Sequence, residues 1–213
     1  MQITKNGAVT KTVTVAITVS EVITYNGLSY QTAQSATGRV WLDRNIGASR
    51  VCTAFDDSAC YGGYYQWGKG VNDDFTVTSA VDWRTDDNDG AIRSALWADS
   101  TSGTICPVGY RVPTQGEVDA ERNTWDFSVG AFASPLKFGV AGYRQSTSTG
   151  GIERPGRTAF YFITTVLGGG SSVVSLSFSG STEITSSGNH RSRGYLVRCI
   201  QSTITLLQLQ SSP

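Results

Sequence analysis

Residues 9–19 alternate with period two. Val9, Val13, Val15, Ile17 and Val19 fall on one side, Lys11 being the exception; Thr10, Thr12, Thr14, Ala16 and Thr18 fall on the other. β-branched residues at that period predict a strand. A free strand of this kind is an aggregation hazard, so it is expected to pair with the domain or with a neighbouring copy. "VITYNGLSYQT", 22–32, places Asn26-Gly27 between two β-prone runs, which predicts a hairpin with both turn residues at positive φ. "GRVWLDRN", 38–45, reads as another strand. From 138 onward strands and turns return in "GVAGYR", "TAFYFITTV", "VVSLSFSG" and "GYLVRCIQ", with "LGGGSS" as a tight loop between two of them.

Helical signals are few. Thr114 and Glu117 form a T-x-x-E capping box after Pro113, predicting a helix to about Trp125. A polar, acidic stretch, 71–105, reads as a long surface loop with a short helix near "AIRSALWA". The last twelve residues, "STITLLQLQSSP", carry Ile204, Leu206, Leu207 and Leu209, a pattern for docking rather than a free tail. No internal repeat interrupts this order. The reading is one domain, 24–201, between an N-terminal β arm, 1–23, and a C-terminal extension, 202–213.

Composition agrees with a β-rich, loop-rich chain. Of 213 residues 24 are Gly and only 16% are charged, with 17 basic and 17 acidic side chains. This balance predicts no general attraction to nucleic acid or anionic membrane. No stretch approaches the ~18 apolar residues of a membrane span, and the first residues lack the pattern of a signal peptide.

The four cysteines allow three pairings. None forms a CxxC pair, so a zinc ribbon or thioredoxin-like site has no support. Two disulfides, and with them an oxidising final environment, are the better reading. Cys52 and Cys60, close in sequence, are expected to bridge each other. Disulfides without a visible export signal point to another way out of the cell, such as release by lysis with a phage particle. A catalytic triad needs a base, and the one His available, His190, sits in the polar loop "GNHRSRG" with no obvious acid partner, so no catalytic residue is assigned. "RTDDNDG" offers Asp86, Asp87 and Asp89 as oxygen ligands for a structural Ca²⁺. Its register fails the EF-hand pattern, and a solvated acidic loop is preferred; no cofactor is otherwise expected. In "GGYYQWGKG" the phosphate-loop spacing fails because Gly70 follows Lys69. Its aromatics, Tyr61, Tyr64, Tyr65 and Trp67, are expected in the core and at its rim.

The segments "YNGLSYQT", "TGRVWLDRNIGAS", "VCTAFDDSACYGGYYQWGKG", "CPVGYRVPTQGEV", "SPLKFGVAGYR" and "SRGYLVRCI" together resemble the Fibrobacter succinogenes major paralogous (FISUMP) domain, over about residues 24–201. The resemblance implies an α+β, β-dominated, C-type-lectin-like fold with long loops, one or two helices and terminal strand extensions. The two ends of the domain would meet as neighbouring strands, and Cys106 would pair with Cys199. Relatives include formylglycine-generating enzymes, retroelement variable proteins and surface or virion adhesins.

The late segment is the candidate binding face. Tyr143, Arg144, Arg154, Arg157, Tyr161, Asn189, His190, Arg191 and Arg193 lie there among Ser, Thr and Gly, the composition of recognition surfaces. The expected function is a non-enzymatic displayed binding or structural protein of a phage virion: a fibre, tail-tip or capsid-decoration component. Its arms would hold sister copies or virion scaffold proteins, and its outward face a host-surface glycan or protein, with no nucleic-acid partner and no membrane insertion. The alternatives are a bacterial surface adhesin or retroelement variable protein and, third, a formylglycine-generating-type enzyme.

Overall fold

The structure, a computed structural model, describes residues 21–73, 87–146, 150–167, 172–179 and 183–202. The strand expected at 9–19, the docking run after residue 202, residues 168–171 of the "LGGGSS" loop and Asp86 lie outside them. The fold is α+β with β dominating.

The described part of the chain begins with the hairpin of β1 (Ile23–Tyr25) and β2 (Leu28–Tyr30). Asn26 at φ 47° and Gly27 at φ 75° make the turn that the Asn-Gly pair predicts. β1 starts at Ile23, so the arm's expected boundary falls inside the hairpin. β3 (Thr32–Gln34) and β4 (Val40–Leu42) pair next, followed by β5 (Tyr65–Gln66) after a loop held by Cys52–Cys60.

α1 (Ala91–Ala98) is the short helix expected in the acidic stretch. Asp87, expected in a solvated loop, is instead buried. Its carboxylate accepts from the N–H groups of Ile92 and Arg93, each at 3.1 Å, and faces the buried Arg93 guanidinium at 3.5 Å. Asp89 accepts from Ala91 N–H at 3.1 Å. The acidic run is thus used to satisfy the free N–H groups of a helix start. Among the described residues no group of three or more His, Cys, Asp or Glu could hold a metal ion.

β6 (Tyr110–Arg111) leads into α2 (Gln115–Arg122), whose capping box is present as read: Thr114 and Glu117 satisfy each other's backbone N–H. α2 stops short of Trp125 because its last turn tightens. Thr124 and Trp125 N–H groups bond three residues back, to Glu121 and Arg122, and the Thr124 hydroxyl also takes the Glu121 carbonyl. α3 (Phe127–Ala133) was not legible. With Gly130 and three aromatic or β-branched residues its propensity is poor; buried Ser128 and Ala131, and a T-shaped Phe55–Phe132 contact at 6.1 Å, hold it in place.

Glu117 also receives the Arg111 guanidinium, at 2.6 and 2.8 Å, and that of Arg39. Burial alone would raise its pKa. Hydrogen bonds from Arg111 and the Thr114 N–H, with both cations, outweigh burial and hold it at about 2. A depressed folded pKa gives stability that is complete above the unfolded value and lost as pH falls through the folded one. Unfolding free energy is therefore expected to drop by roughly 1–2 kcal/mol, after discounting for solvent, between about pH 4.5 and 2. Glu117→Gln should flatten that acid limb in urea titrations at each pH; an unchanged limb would show the pairing contributes nothing.

The late chain forms β7 (Tyr143–Arg144), β8 (Ile152–Glu153), β9 (Thr158–Val166), β10 (Ser172–Ser179), β11 (Glu183–His190), β12 (Gly194–Tyr195) and β13 (Ile200–Gln201). Two expected strands shorten to two-residue ladders: "GVAGYR" to β7, and "GYLVRCIQ" to β12 and β13. β11 was not expected, since its Ser, Gly and Asn read as loop. Its partner β10 imposes the strand through an unbroken ladder from Ser172↔His190 to Ser179↔Glu183.

Beyond the first hairpin the sheets run β3-β4-β13-β6, β5-β12-β7-β8 and β11-β10-β9. β13 lies between β4 and β6, so an early and a late strand are neighbours, and Cys106–Cys199 ties the same corner. β9 divides the core. Ala159, Tyr161 and Ile163 face one cluster with Trp41, Phe138, Leu176 and Phe178, while Phe162 and half-buried Phe160 face another with Trp67, Trp97 and Tyr195. Side-chain alternation along one strand therefore serves two cores. Arg198 is buried against the first of them. Its guanidinium bonds Asn45 Oδ1 at 3.0 Å and the Leu136 carbonyl at 2.7 Å and lies over the Phe138 ring; burial lowers its pKa to about 10.

Candidate functional site

The short sheet β5-β12-β7-β8 orders side chains into rows. Tyr195 pairs with Tyr65, Tyr143 with Glu153, and Gly194 with Arg144. The antiparallel register then sets Tyr195 beside Tyr143, and Arg193 beside Gln145. Because side chains alternate, Tyr65, Tyr195, Tyr143 and Glu153 cross one face in a row, with Arg193 and Gln145 flanking it. Arg144 and Ile152 belong to the opposite face.

β9 supplies the floor. Phe160 stacks on Tyr195 at 4.9 Å and meets Tyr143 edge-on at 5.2 Å; Phe162 lies 4.6 Å from Tyr195. Tyr65, Tyr143, Phe160, Gln145 and Arg193 are half-buried, while Tyr195 and Phe162 are fully covered. The result is an aromatic shelf, open to water at its rim. The Arg193 guanidinium sits 5.3 Å from the Tyr143 ring centroid, a cation–π position. Burial pushes the Tyr195 hydroxyl up to about 12, the hydrogen-bonding guanidinium of Arg193 and its charge offsetting part of the effect, so Tyr195 stays neutral at physiological pH.

The turn from β11 to β12 positions Arg193. Its N–H donates to the His190 carbonyl at 3.3 Å, Gln66 Nε2 donates to the Ser192 carbonyl at 2.8 Å, and Trp67 N–H donates to the Arg191 carbonyl. Arg191 is buried, with Nη1 on the Asp87 carbonyl at 2.8 Å and its guanidinium 5.8 Å from the Trp67 ring centroid. It braces the turn against the start of α1. This turn also concentrates buried polar atoms without a hydrogen-bond partner: His190 Nδ1, Ser192 Oγ and Arg193 Nε, with the Tyr195 hydroxyl close by.

The late-segment candidates thus separate. Tyr143 and Arg193 come together on the shelf. Half-buried His190, expected in a loop, ends β11 beside it. Tyr161 points into the core, its hydroxyl on the Gly139 carbonyl at 2.8 Å, and Arg191 is internal, so neither is available to a ligand. Arg144 folds onto the Gly150 carbonyl at 2.9 Å. Arg154, at φ 51°, and Arg157 are exposed on the β8–β9 turn, away from the shelf rows. Asn189 belongs to β11, paired with Val173. Sequence reasoning missed Phe160, Tyr195, Gln145 and Glu153. For Phe160 the signal was the Phe160/Phe162 against Tyr161/Ile163 alternation in "TAFYFITTV"; Tyr195 and Gln145 needed the strand pairing.

All four cysteines are in disulfides, Cys52–Cys60 and Cys106–Cys199, and none is free. No helix among the described residues is long and apolar enough to cross a membrane. A scan against protein-family models gave no match, and neither did searches of curated proteins and of solved structures.

Proposed function

We propose that this chain is a non-enzymatic recognition protein on a C-type-lectin-like, FISUMP-type frame, displayed on the outside of a phage particle. The observation that carries the reading is the aromatic shelf, where half-buried Arg193 and Tyr143 meet solvent on a rigid sheet. The meeting of β4 with β13 and the bridge at that corner support the frame. Two disulfides suit an oxidising, external setting. A bacterial surface adhesin or a retroelement variable protein would use the same shelf in another setting. A formylglycine-generating chemistry would require a thiol, and with every cysteine bridged recognition is favoured.

Labelled full-length protein is expected to bind a panel of intact bacterial cells saturably, at least on one strain. Tyr143→Ala should weaken that binding at least tenfold while the thermal unfolding midpoint stays above the assay temperature. Saturable binding that Tyr143→Ala leaves intact would remove the shelf from the function, and no saturable binding to any strain would remove host recognition altogether.

A further inference from the structure

Among the described residues the shelf's cation, Arg193, has no counter-ion. Arg193 forms no ion pair among the described residues, its Nε is buried without a hydrogen-bond partner, and its guanidinium lies 5.3 Å from the Tyr143 ring centroid. Gln145 Nε2 lies 3.5 Å from the Tyr143 hydroxyl, which leaves that hydroxyl's own proton to point outward. The Tyr195 hydroxyl, kept neutral by burial, backs the guanidinium from within. The one carboxylate on this face, Glu153, is exposed on the far side of Tyr143, across the strand pair from it. A half-buried guanidinium without its partner carries a desolvation cost that an incoming anion would relieve.

We propose that Arg193, Tyr143 and Gln145 bind the acidic group of a saccharide, a carboxylate or sulfate, with the sugar ring against the Tyr143–Phe160 edge of the shelf. The guanidinium fork fits a carboxylate or sulfate through two parallel N–H···O bonds, and Tyr143 has already oriented it by stacking. Tyr143 O–H and the Gln145 amide complete the donor set. A sugar ring offers what the rest of the shelf asks for: apolar C–H faces for aromatic rings and hydroxyls for the Tyr and Gln edges. Binding is Ca²⁺-independent, since the cation is supplied by Arg193. The inference rests on the shelf being the recognition face and adds the chemistry of its ligand.

Isothermal titration of the full-length protein with tetragalacturonate, with sulfated dextran fragments and with the carboxyl-reduced neutral tetrasaccharide tests it, in EDTA and in 50 and 500 mM salt. Binding of at least one acidic saccharide is expected, at least tenfold tighter than the neutral one. Uronate alone or sulfated fragments alone would each assign the acidic group within the proposal. Arg193→Ala should lower affinity about 10–100-fold, the range for a lost charge-assisted pair. Arg193→Lys should recover part of it, and Arg122→Ala, a surface cation on α2, should change nothing. The proposal is overturned if neither acidic saccharide binds, if the neutral one binds as tightly, if Arg122→Ala costs as much as Arg193→Ala, or if oligoglutamate competes equally. Saturable cell binding that needs Tyr143 but is indifferent to acidic sugars would leave the recognition reading standing and refute this inference alone.

Discussion

Cys106→Ser with Cys199→Ser is expected to lower unfolding free energy by about 4–5 kcal/mol, more than loss of the Cys52–Cys60 bridge. The bridge spans a sequence separation of 93, against 8 for Cys52–Cys60. On the chain-entropy estimate the short bridge contributes only about 2–3 kcal/mol. Against a typical total of about 5–15 kcal/mol the long bridge can decide whether the domain stays folded. Its position adds to the effect. Cys199 O accepts the Leu42 N–H at 3.0 Å, and Ile200 pairs with both Trp41 and Arg111, so losing the bridge frees the strand that joins the early and late halves. Urea unfolding of the two double variants, read at constant slope, measures the difference. Equal losses would mean that loop length is not what the long bridge contributes.

Asp87→Ala follows, at about 3–5 kcal/mol, the cost of breaking a buried ion pair on one side only. Both side chains are fully buried, and Asp87 also satisfies two N–H groups of the first turn of α1. Its backbone carbonyl separately receives Arg191, so the same residue anchors the turn that carries the shelf. Asp89→Ala, removing one exposed N-terminal bond, should cost about 0.5–2 kcal/mol. Adding Arg93→Met to Asp87→Ala should recover part of the loss, since it removes the buried cation that Asp87 faces. Thermal and urea unfolding of the three variants tests the order; if Asp87→Ala costs no more than Asp89→Ala, the pair is not buried in solution as drawn.

Local signals were read from local residues, and these held. Asn26-Gly27 made its turn because a type I′ hairpin turn needs positive φ at both positions, which Asn and Gly tolerate. Thr114 and Glu117 capped α2 because each supplies the other's missing hydrogen bond. β9 spans 158–166, the run "TAFYFITTV", because β-branched and aromatic residues fit a pleated surface on both sides. Cys52 and Cys60 met because few residues separate them.

The readings that failed needed information from elsewhere in the chain. "EITSSGNH" is polar and small; it became a strand only because β10 offered eight successive partners. Asp87 looked like a solvated acid until α1 turned its free N–H groups and Arg93 onto it. Tyr161 and Arg191 looked like surface binders of the same kind as Tyr143 and Arg193. The alternation of β9 turned Tyr161 inward, and the packing of the 190–193 turn against Trp67 buried Arg191.

Sequence alone therefore determined where the chain turns, where α2 begins, which segments suit strands and that the cysteines can staple a loop-rich domain. These depend on dihedral preferences and hydrogen bonds within a few residues. Tertiary structure decided which polar residues are covered, which strand β13 joins, and that Tyr65, Tyr195 and Tyr143 form one row beside Arg193 and Gln145. Residues 65, 143 and 195 are far apart in the chain. Only the antiparallel register of three short strands, set by the burial of rings against β9, brings them onto one face.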